Sequence, residues 1–382
     1  MDNIAGRKSS LSWVVNISVF FLVVLWLLPT VGLFVSSFRT ADQIASSGWW
    51  KVLFPSEQNL TLRTAGPDEQ VEQDGLYVLE GQLFEPGSEA EISVWGASSR
   101  DIAAYEAGET AQLDDGETLF VGADGSYRME SPVPFEGSRG SRVFVTAETP
   151  PELTLNNYKN LLFDPNNVDG MSRAFMSTLT VTIPATVIPI VVAAFAAYAL
   201  AWMDFKGRAL LIACVVGLLV VPLQLALIPL LRLHLAIGIG KGYLGVWLAH
   251  TGFGLPMAIY LLRNYMVGLP RDIIENARVD GATEYQIFMR IILPLSFPAL
   301  ASFAIFQFLW TWNDLLVAKV FLIDATGKTT VMTAKIVELM GTRGGNWEIL
   351  ATAAFVSISV PLLVFFLMQK YLVRGLLAGS VK

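Results

Sequence analysis

Cysteine, histidine and charge are all scarce in this chain of 382 residues. There is one cysteine, Cys214, and two histidines, His234 and His250. A single thiol excludes a disulfide framework within the chain. With no Cys/His cluster, a zinc site has no ligand set. Cys214 lies in an apolar run, where a buried thiol reads as a small hydrophobe. Charged residues make up only 15% of the chain, against about 25% in a soluble domain. That shortfall, beside a hydrophobic content of 53%, points to a lipid bilayer or an unusually apolar core. No nucleic-acid partner is expected.

The net charge of −7 hides two different parts. Residues 51–150 hold 19 Asp and Glu against 6 Lys and Arg, whereas the remainder holds 14 against 20. The acidity therefore belongs to one segment, and the apolar body is basic. Stretches free of Asp, Glu, Lys and Arg run over 9–38, 174–203, 209–231, 242–262, 291–313 and 349–369. Each is long enough to span about 30 Å of hydrocarbon as a helix rising about 1.5 Å per residue. Prolines inside them do not veto helices, because neighbouring helices can satisfy the freed backbone groups. The first window lacks a small-residue cleavage site before Arg39 and reads as a retained span rather than a signal peptide. With the N-terminus inside, the short inner segments carry eleven Lys and Arg and the short outer loops six, which favours both termini inside. Trp49, Trp50, Trp202, Trp310 and Trp312 lie near window ends, where indoles favour the interface.

The segment between the first two windows is built differently. Runs at 76–84, 91–95, 118–122 and 143–147 are short and rich in strand formers, and Ala123-Asp124-Gly125-Ser126 is a turn signal. Residues 56–150 are expected to form a small extracytoplasmic β-sandwich. It divides the chain into 1–55 with the first span, the insert, and 151–382 with five more spans. The fold class expected is thus an all-α polytopic membrane protein with a β-rich insert.

The segment 270–294, PRDIIENARVDGATEYQIFMRIILP, lies between the fourth and fifth windows on the basic side. Pro270 suits a first helical turn, and Asp272 and Glu275 suit the positive end of the helix dipole. Ile273, Ile274 and Ala277 are read as one apolar face. Gly281 can end the helix in a left-handed cap, and Asp280 or Thr283 can cap the next one. The expectation is helix, sharp bend, helix, with an apolar face that needs a cover: lipid or a partner protein.

This segment resembles the EAA motif of binding-protein-dependent ABC importers, EAAxxDGAxxxxxFxxIxLP. Glu275, Ala277, Asp280, Gly281, Ala282, Phe288, Ile291, Leu293 and Pro294 match in register, and Asn276 departs from the usual Ala. The C-terminus resembles the tail of maltose-type permeases through Gly375, Ala378, Gly379, Val381 and Lys382. Residues 152–162 and 41–55 are similar to the family's segments flanking the first two spans. The resemblance covers about three quarters of the chain, is interrupted by 56–150, and is nearest to the alpha-glucoside transport system permeases.

The resemblance implies six transmembrane helices of the maltose-type importer fold in a bacterial inner membrane. It implies a heterodimer with a second related permease, an ATPase dimer on the cytoplasmic side and a periplasmic sugar-binding protein, with membrane lipid around the spans. The EAA loop would dock on the ATPase, and the tail from Gly375 would reach between the ATPase subunits. ATP and magnesium would bind on the partner ATPase, and no cofactor on this chain. Residues 327–330, Gly-Lys-Thr-Thr, do not make a P-loop, because its first glycine would fall at Leu322. The loop with Gly344, Gly345 and Asn346 would reach the binding protein, or be an ordinary connection.

Polar groups inside spans are costly and mark candidate sites. Gln224, Gln307, Trp310, Asn313 and Asp314 are the candidates for a sugar path. The alternatives are an interfacial charge for Asp314 and an interfacial belt for Trp310 and Trp312; Ser357 and Ser359 read as helix packing. A rival class is a membrane receptor with an external β sensor domain, which explains 56–150 but leaves the EAA segment without a purpose.

Overall fold

The first apolar window forms α1 (Leu11–Ser36), in a computed structural model that describes residues 11–163, 170–322, 328–342 and 346–377. The chain divides into two units, residues 1–159 with 345–352, and residues 160–344 with 353–382. In the first unit α1 is followed by α2 (Ala41–Ser46) and a 3-10 turn (Trp49–Lys51). Thr40 starts α2 through a capping box with Gln43, each side chain bonding the other's backbone N–H.

Nine strands come next: β1 (Ser56–Arg63), β2 (Val71–Gln73), β3 (Leu76–Gln82), β4 (Glu91–Gly96), β5 (Tyr105–Glu106), β6 (Thr110–Gln112), β7 (Thr118–Val121), β8 (Ser126–Ser131) and β9 (Arg142–Thr149). They form two antiparallel sheets, in the orders β1-β9-β4-β5 and β2-β3-β8-β7-β6. Alternation turns Val143, Val145 and Ala147 of β9, Leu119 and Val121 of β7, and Tyr127 and Met129 of β8 into one shared core. Ile92 and Trp95 of β4 join it. Three residues apart, they would fall on opposite faces of a regular strand, and a bulge between Ile92 and Val94 brings both inward. The turn before β8 is local chemistry: the Asp124 carboxylate accepts from the Ser126 N–H and hydroxyl, and Gly125 takes φ 81°. Ser56 pairs directly with Thr149, so the chain enters and leaves the sandwich on one rung.

After β9 come α3 (Asn156–Phe163), α4 (Met171–Trp202), α5 (Arg208–Leu218), α6 (Leu223–Ala236), α7 (Tyr243–Val267), α8 (Arg271–Val279), α9 (Glu284–Ile287), α10 (Leu293–Leu295), α11 (Phe297–Trp312), α12 (Leu316–Phe321), α13 (Met332–Thr342) and α14 (Trp347–Leu377). A short π-helical stretch, Phe288–Ile292, joins α9 to α10. Among the described residues α1, α4, α7 and α14 are continuous and apolar enough to cross a bilayer. The windows 209–231 and 291–313 are not straight. The first bends by 111° between α5 and α6, and the helix entering the second bends by 69° before α11. Pro222, extended at ψ 127°, stands between the two helices as the N-cap of α6; Pro298 removes the N–H that would have continued the ladder past Ser296.

The second unit is organised on α4 and α7. Ala185, Ala193, Ala194 and Ala197 of α4 and Gly245, Ala249, Gly254 and Ala258 of α7 are buried, and such small residues allow close helix approach. Proline inside a helix orphans the carbonyl four residues earlier. Three such carbonyls receive a donor from another helix. Pro184 frees Thr180, whose carbonyl accepts from Trp247 Nε1 at 2.8 Å. Pro189 frees Ala185, whose carbonyl accepts from Gln307 Nε2 at 3.1 Å. Pro361 frees Ser357, whose carbonyl accepts from Trp312 Nε1 at 2.9 Å.

Candidate functional site

The segment 270–294 forms a bent elbow whose geometry follows from its local sequence. Helix α8 closes in a Schellman arrangement: the Ala282 N–H donates to Ala277 O and the Gly281 N–H to Arg278 O, both at 3.0 Å. Gly281 sits at φ 80°, and a Cβ there would meet nothing within 4 Å. Backbone conformation, not space, is what selects glycine. Thr283 then caps α9 in a box with Gln286, so Asp280 is left as the C-cap of α8.

The elbow does not leave its apolar face free. Ile274 is buried, with Ala277 and Ala282 beside it, in a cluster containing Tyr198 and Ala201 of α4 and Leu262 and Met266 of α7. Ile273 does not share that face and is exposed; adjacent helical positions are about 100° apart. Phe288 is buried against Phe195 and Tyr198, with ring centroids 4.6 and 5.2 Å away. Glu284 accepts from the Tyr198 hydroxyl at 2.5 Å and from Arg278 Nε at 3.0 Å, while Arg278 Nη2 donates to Trp202 O at 3.3 Å. The hydrogen bond to Glu284 holds the Arg278 guanidinium above its ordinary pKa. A polar strap and an aromatic stack thus tie the bend to the end of α4.

The outer side of the elbow carries exposed apolar side chains among charged and polar ones. Val279 is 87% exposed and Tyr285 64%, with Ile273 and Met289 beside them in sequence and also exposed. Glu275, Asp280 and Pro294 are exposed; Ala277, Ala282, Ile291 and Leu293 are half-buried. Of the tail, Gly375 lies in the last turns of α14, and Ala378, Gly379, Val381 and Lys382 fall outside the described residues. Gly344 and Gly345 also fall outside them, and Asn346 leads into α14 by accepting from the Leu350 N–H.

The sugar-path candidates separate. Gln224, Trp310 and Asn313 are exposed, and the Asn313 side chain donates to Leu309 O within its own helix. Gln307 is buried and spent on the Ala185 carbonyl, and Gly254 makes room for it, since a Cβ there would stand 2.7 Å from Gln307 Oε1. Asp314 is a buried partner of His250, with Nε2 to Oδ2 at 3.7 Å, and it accepts from the Ala318 N–H at the start of α12. Ser357 is buried and Ser359 donates to Val356 O, as packing residues do. Arg278, Glu284, Tyr198 and His250 were not legible as site residues. Only the opposite charges of Arg278 and Glu284, flanking the Gly281 bend, offered a signal. Among the described residues no three His, Cys, Asp or Glu side chains gather as a metal site.

The family model described as binding-protein-dependent transport system inner membrane component matches residues 168–377. The alpha-glucoside transport system permease protein AglG of Rhizobium meliloti (strain 1021) is 59% identical over 382 residues, 99% of each chain. The osmoprotective compounds uptake permease protein GgtD of Synechocystis sp. is 56% identical over 228 residues, 60% of this chain and 75% of its own. The crystal structure of a bacterial ABC transporter that imports alginate aligns with a TM-score of 0.47 and 22% identity, covering 59% of this chain and 81% of its own.

Proposed function

We propose, from the premise that the chain belongs to the family of binding-protein-dependent transport system inner membrane components, that it is a permease subunit of an ATP-driven sugar importer, taking alpha-glucosides. It performs no catalysis itself. It spans the inner membrane six times, counting each bent pair as one span, with both termini in the cytoplasm. A second related permease completes the translocation path, an ATPase dimer carrying ATP and magnesium binds the elbow, and a periplasmic binding protein delivers the sugar.

The elbow is the observation that carries this reading. Its inner side packs on α4 and α7 through Ile274 and Phe288, and its outer side presents Ile273, Val279 and Tyr285 beside Glu275. An ATPase that seats on the outer side can displace the inner one only by moving the ends of α4 and α7. The Arg278–Glu284–Tyr198 strap keeps that displacement from being absorbed by the bend. ATP binding and the loaded binding protein then bias the same two membrane states. The tail from Gly375 to Lys382 adds a second ATPase contact, and the loop at Gly344, Gly345 and Asn346 faces the binding protein. Gln224, Trp310 and Asn313 remain candidates for the sugar path because their side chains are exposed.

The test is Glu275→Lys in the co-expressed transporter. Reversing a charge at a protein interface costs several kcal/mol, and about 1.4 kcal/mol is tenfold in affinity. The ATPase subunits should therefore no longer co-purify, or sugar uptake should be lost, while the chain stays in the membrane. Uptake at the wild-type rate would refute the assignment.

A further inference from the structure

The chain turns back on itself after α1, and the segments that lead into and out of the sandwich both carry exposed apolar side chains. Arg39, buried just beyond α1, is the pivot: it donates to Gln43 O at 2.6 Å, to Ser47 O at 3.0 Å and to the Ser47 hydroxyl at 2.5 Å. That clamp folds residues 40–49 back along the helix. Trp49 ends up against Gly32, where a Cβ would stand 2.8 Å from its Nε1. Gly32 precedes Ser36 by four residues, which is about 6 Å back into the span at about 1.5 Å per residue. The outgoing segment therefore passes back beside the last turns of α1.

Beyond Trp49, the side chains of Trp50, Leu53 and Phe54 are 66%, 72% and 64% exposed, with the exposed Lys51 between them. The returning segment is held by the residues that follow α1. The Thr154 N–H donates to Phe38 O at 2.7 Å, Asn157 Nδ2 donates to Ser37 O and Arg39 O, and the Tyr158 and Ser37 hydroxyls lie 2.6 Å apart. On either side of Thr154, Leu153 and Leu155 are 59% and 68% exposed.

We propose that these five side chains form an apolar collar that inserts into the lipid interface and seats the base of the β-sandwich on the membrane. The occupant is a phospholipid surface rather than a protein. The collar is continuous with α1, whose own apolar side chains are exposed along its length as a lipid-facing span requires. Its mixture of indole, phenyl and aliphatic groups around one lysine is the composition that favours the boundary between acyl chains and phosphates. Ser56 follows Phe54 by two residues and pairs with Thr149, so both ends of the sandwich are fixed just above the collar. The choice of the outer leaflet rests on the orientation proposed above; the lipid contact does not.

Nitroxide accessibility on the assembled transporter in nanodiscs tests this. Cys214, which is exposed, is first replaced in a Cys214→Ser background. Single labels then go at Leu53→Cys and Leu155→Cys, with Phe20→Cys in mid-α1 as the lipid reference and Asp74→Cys in the β2–β3 turn as the water reference. Both collar labels should show an oxygen-to-nickel-chelate ratio several-fold above that at position 74 and below that at position 20. A ratio equal to the Asp74 reference would mean a solvated loop, and low access to both reagents would mean a protein partner; either overturns the collar. Labelling Leu53→Cys on intact cells with an impermeant reagent reports the leaflet separately, so a failed orientation and a failed collar are distinguishable.

Discussion

Gln307→Leu is the sharpest perturbation of the membrane unit, because its cost can be worked out group by group. The substitution removes the 3.1 Å bond to the Ala185 carbonyl, which Pro189 leaves with no helical donor. An orphaned buried carbonyl costs about 1–3 kcal/mol. Measured side-chain bonds between membrane helices average about 0.6 kcal/mol because the unfolded state also finds partners. Leucine also deletes Gln307 Oε1, itself buried without a partner, which offsets part of the loss. The net expectation is a destabilisation of about 1 kcal/mol. Pro189→Ala restores an N–H that can donate to Ala185 within α4, so in that background Gln307→Leu should cost close to nothing. The assay is equilibrium unfolding in mixed lipid–detergent micelles, followed by circular dichroism, over the four members of the cycle. A coupling energy below about 0.3 kcal/mol, the usual additivity error, would refute the claim that this amide exists to serve the proline's carbonyl.

Three further outcomes are expected. Gly281→Ala should cost about 1–2 kcal/mol, the penalty of a left-handed non-glycine residue. Gly281→Asn should cost less, since Asn tolerates that region; thermal melts of the two variants decide it, and equal losses would point away from backbone strain. Glu57, Glu148 and Glu91 stand directly opposite one another across β1, β9 and β4. Relieving the middle one with Glu148→Gln should stabilise the sandwich by a few tenths to about 1 kcal/mol, and the gain should shrink as salt screens it. Replacing 57–148 with a short Gly/Ser link should leave a chain that still inserts and co-purifies with its ATPase; loss of insertion would show that the sandwich is needed to fold the spans.

What was legible in the sequence was local. The elbow's bend follows from Gly281, and its second helix from Thr283 and Gln286, because capping is written within a few residues. The runs at 76–84, 91–95, 118–122 and 143–147 coincide with β3, β4, β7 and β9. Helices α1, α4, α7 and α14 were visible as charge-free windows, but that criterion is blind to bends, so Pro222 and Pro298 were not recognised as breaks. The polar residues in the windows stand out in the sequence. Their partners were not visible, because Gln307 answers a carbonyl 122 residues away and Asp314 answers a histidine on another helix. The apolar face of α8 was misjudged at Ile273 because the covering residues, Tyr198 and Leu262, come from distant helices. Arg278, Glu284 and Tyr198 meet only in the folded chain.

The single rung on which the sandwich begins and ends has a thermodynamic corollary. Loop-closure entropy depends on the separation a segment must bridge as well as on its length. Because Ser56 and Thr149 are hydrogen-bonded neighbours, the folded module presents the rest of the chain with two adjacent ends, as a tight turn would. Once the sandwich has formed, joining α1 to the helices that follow carries almost no entropic penalty for the nine strands in between. A module mounted this way can lengthen, shrink or change its surface without retuning the stability of the spans on either side of it.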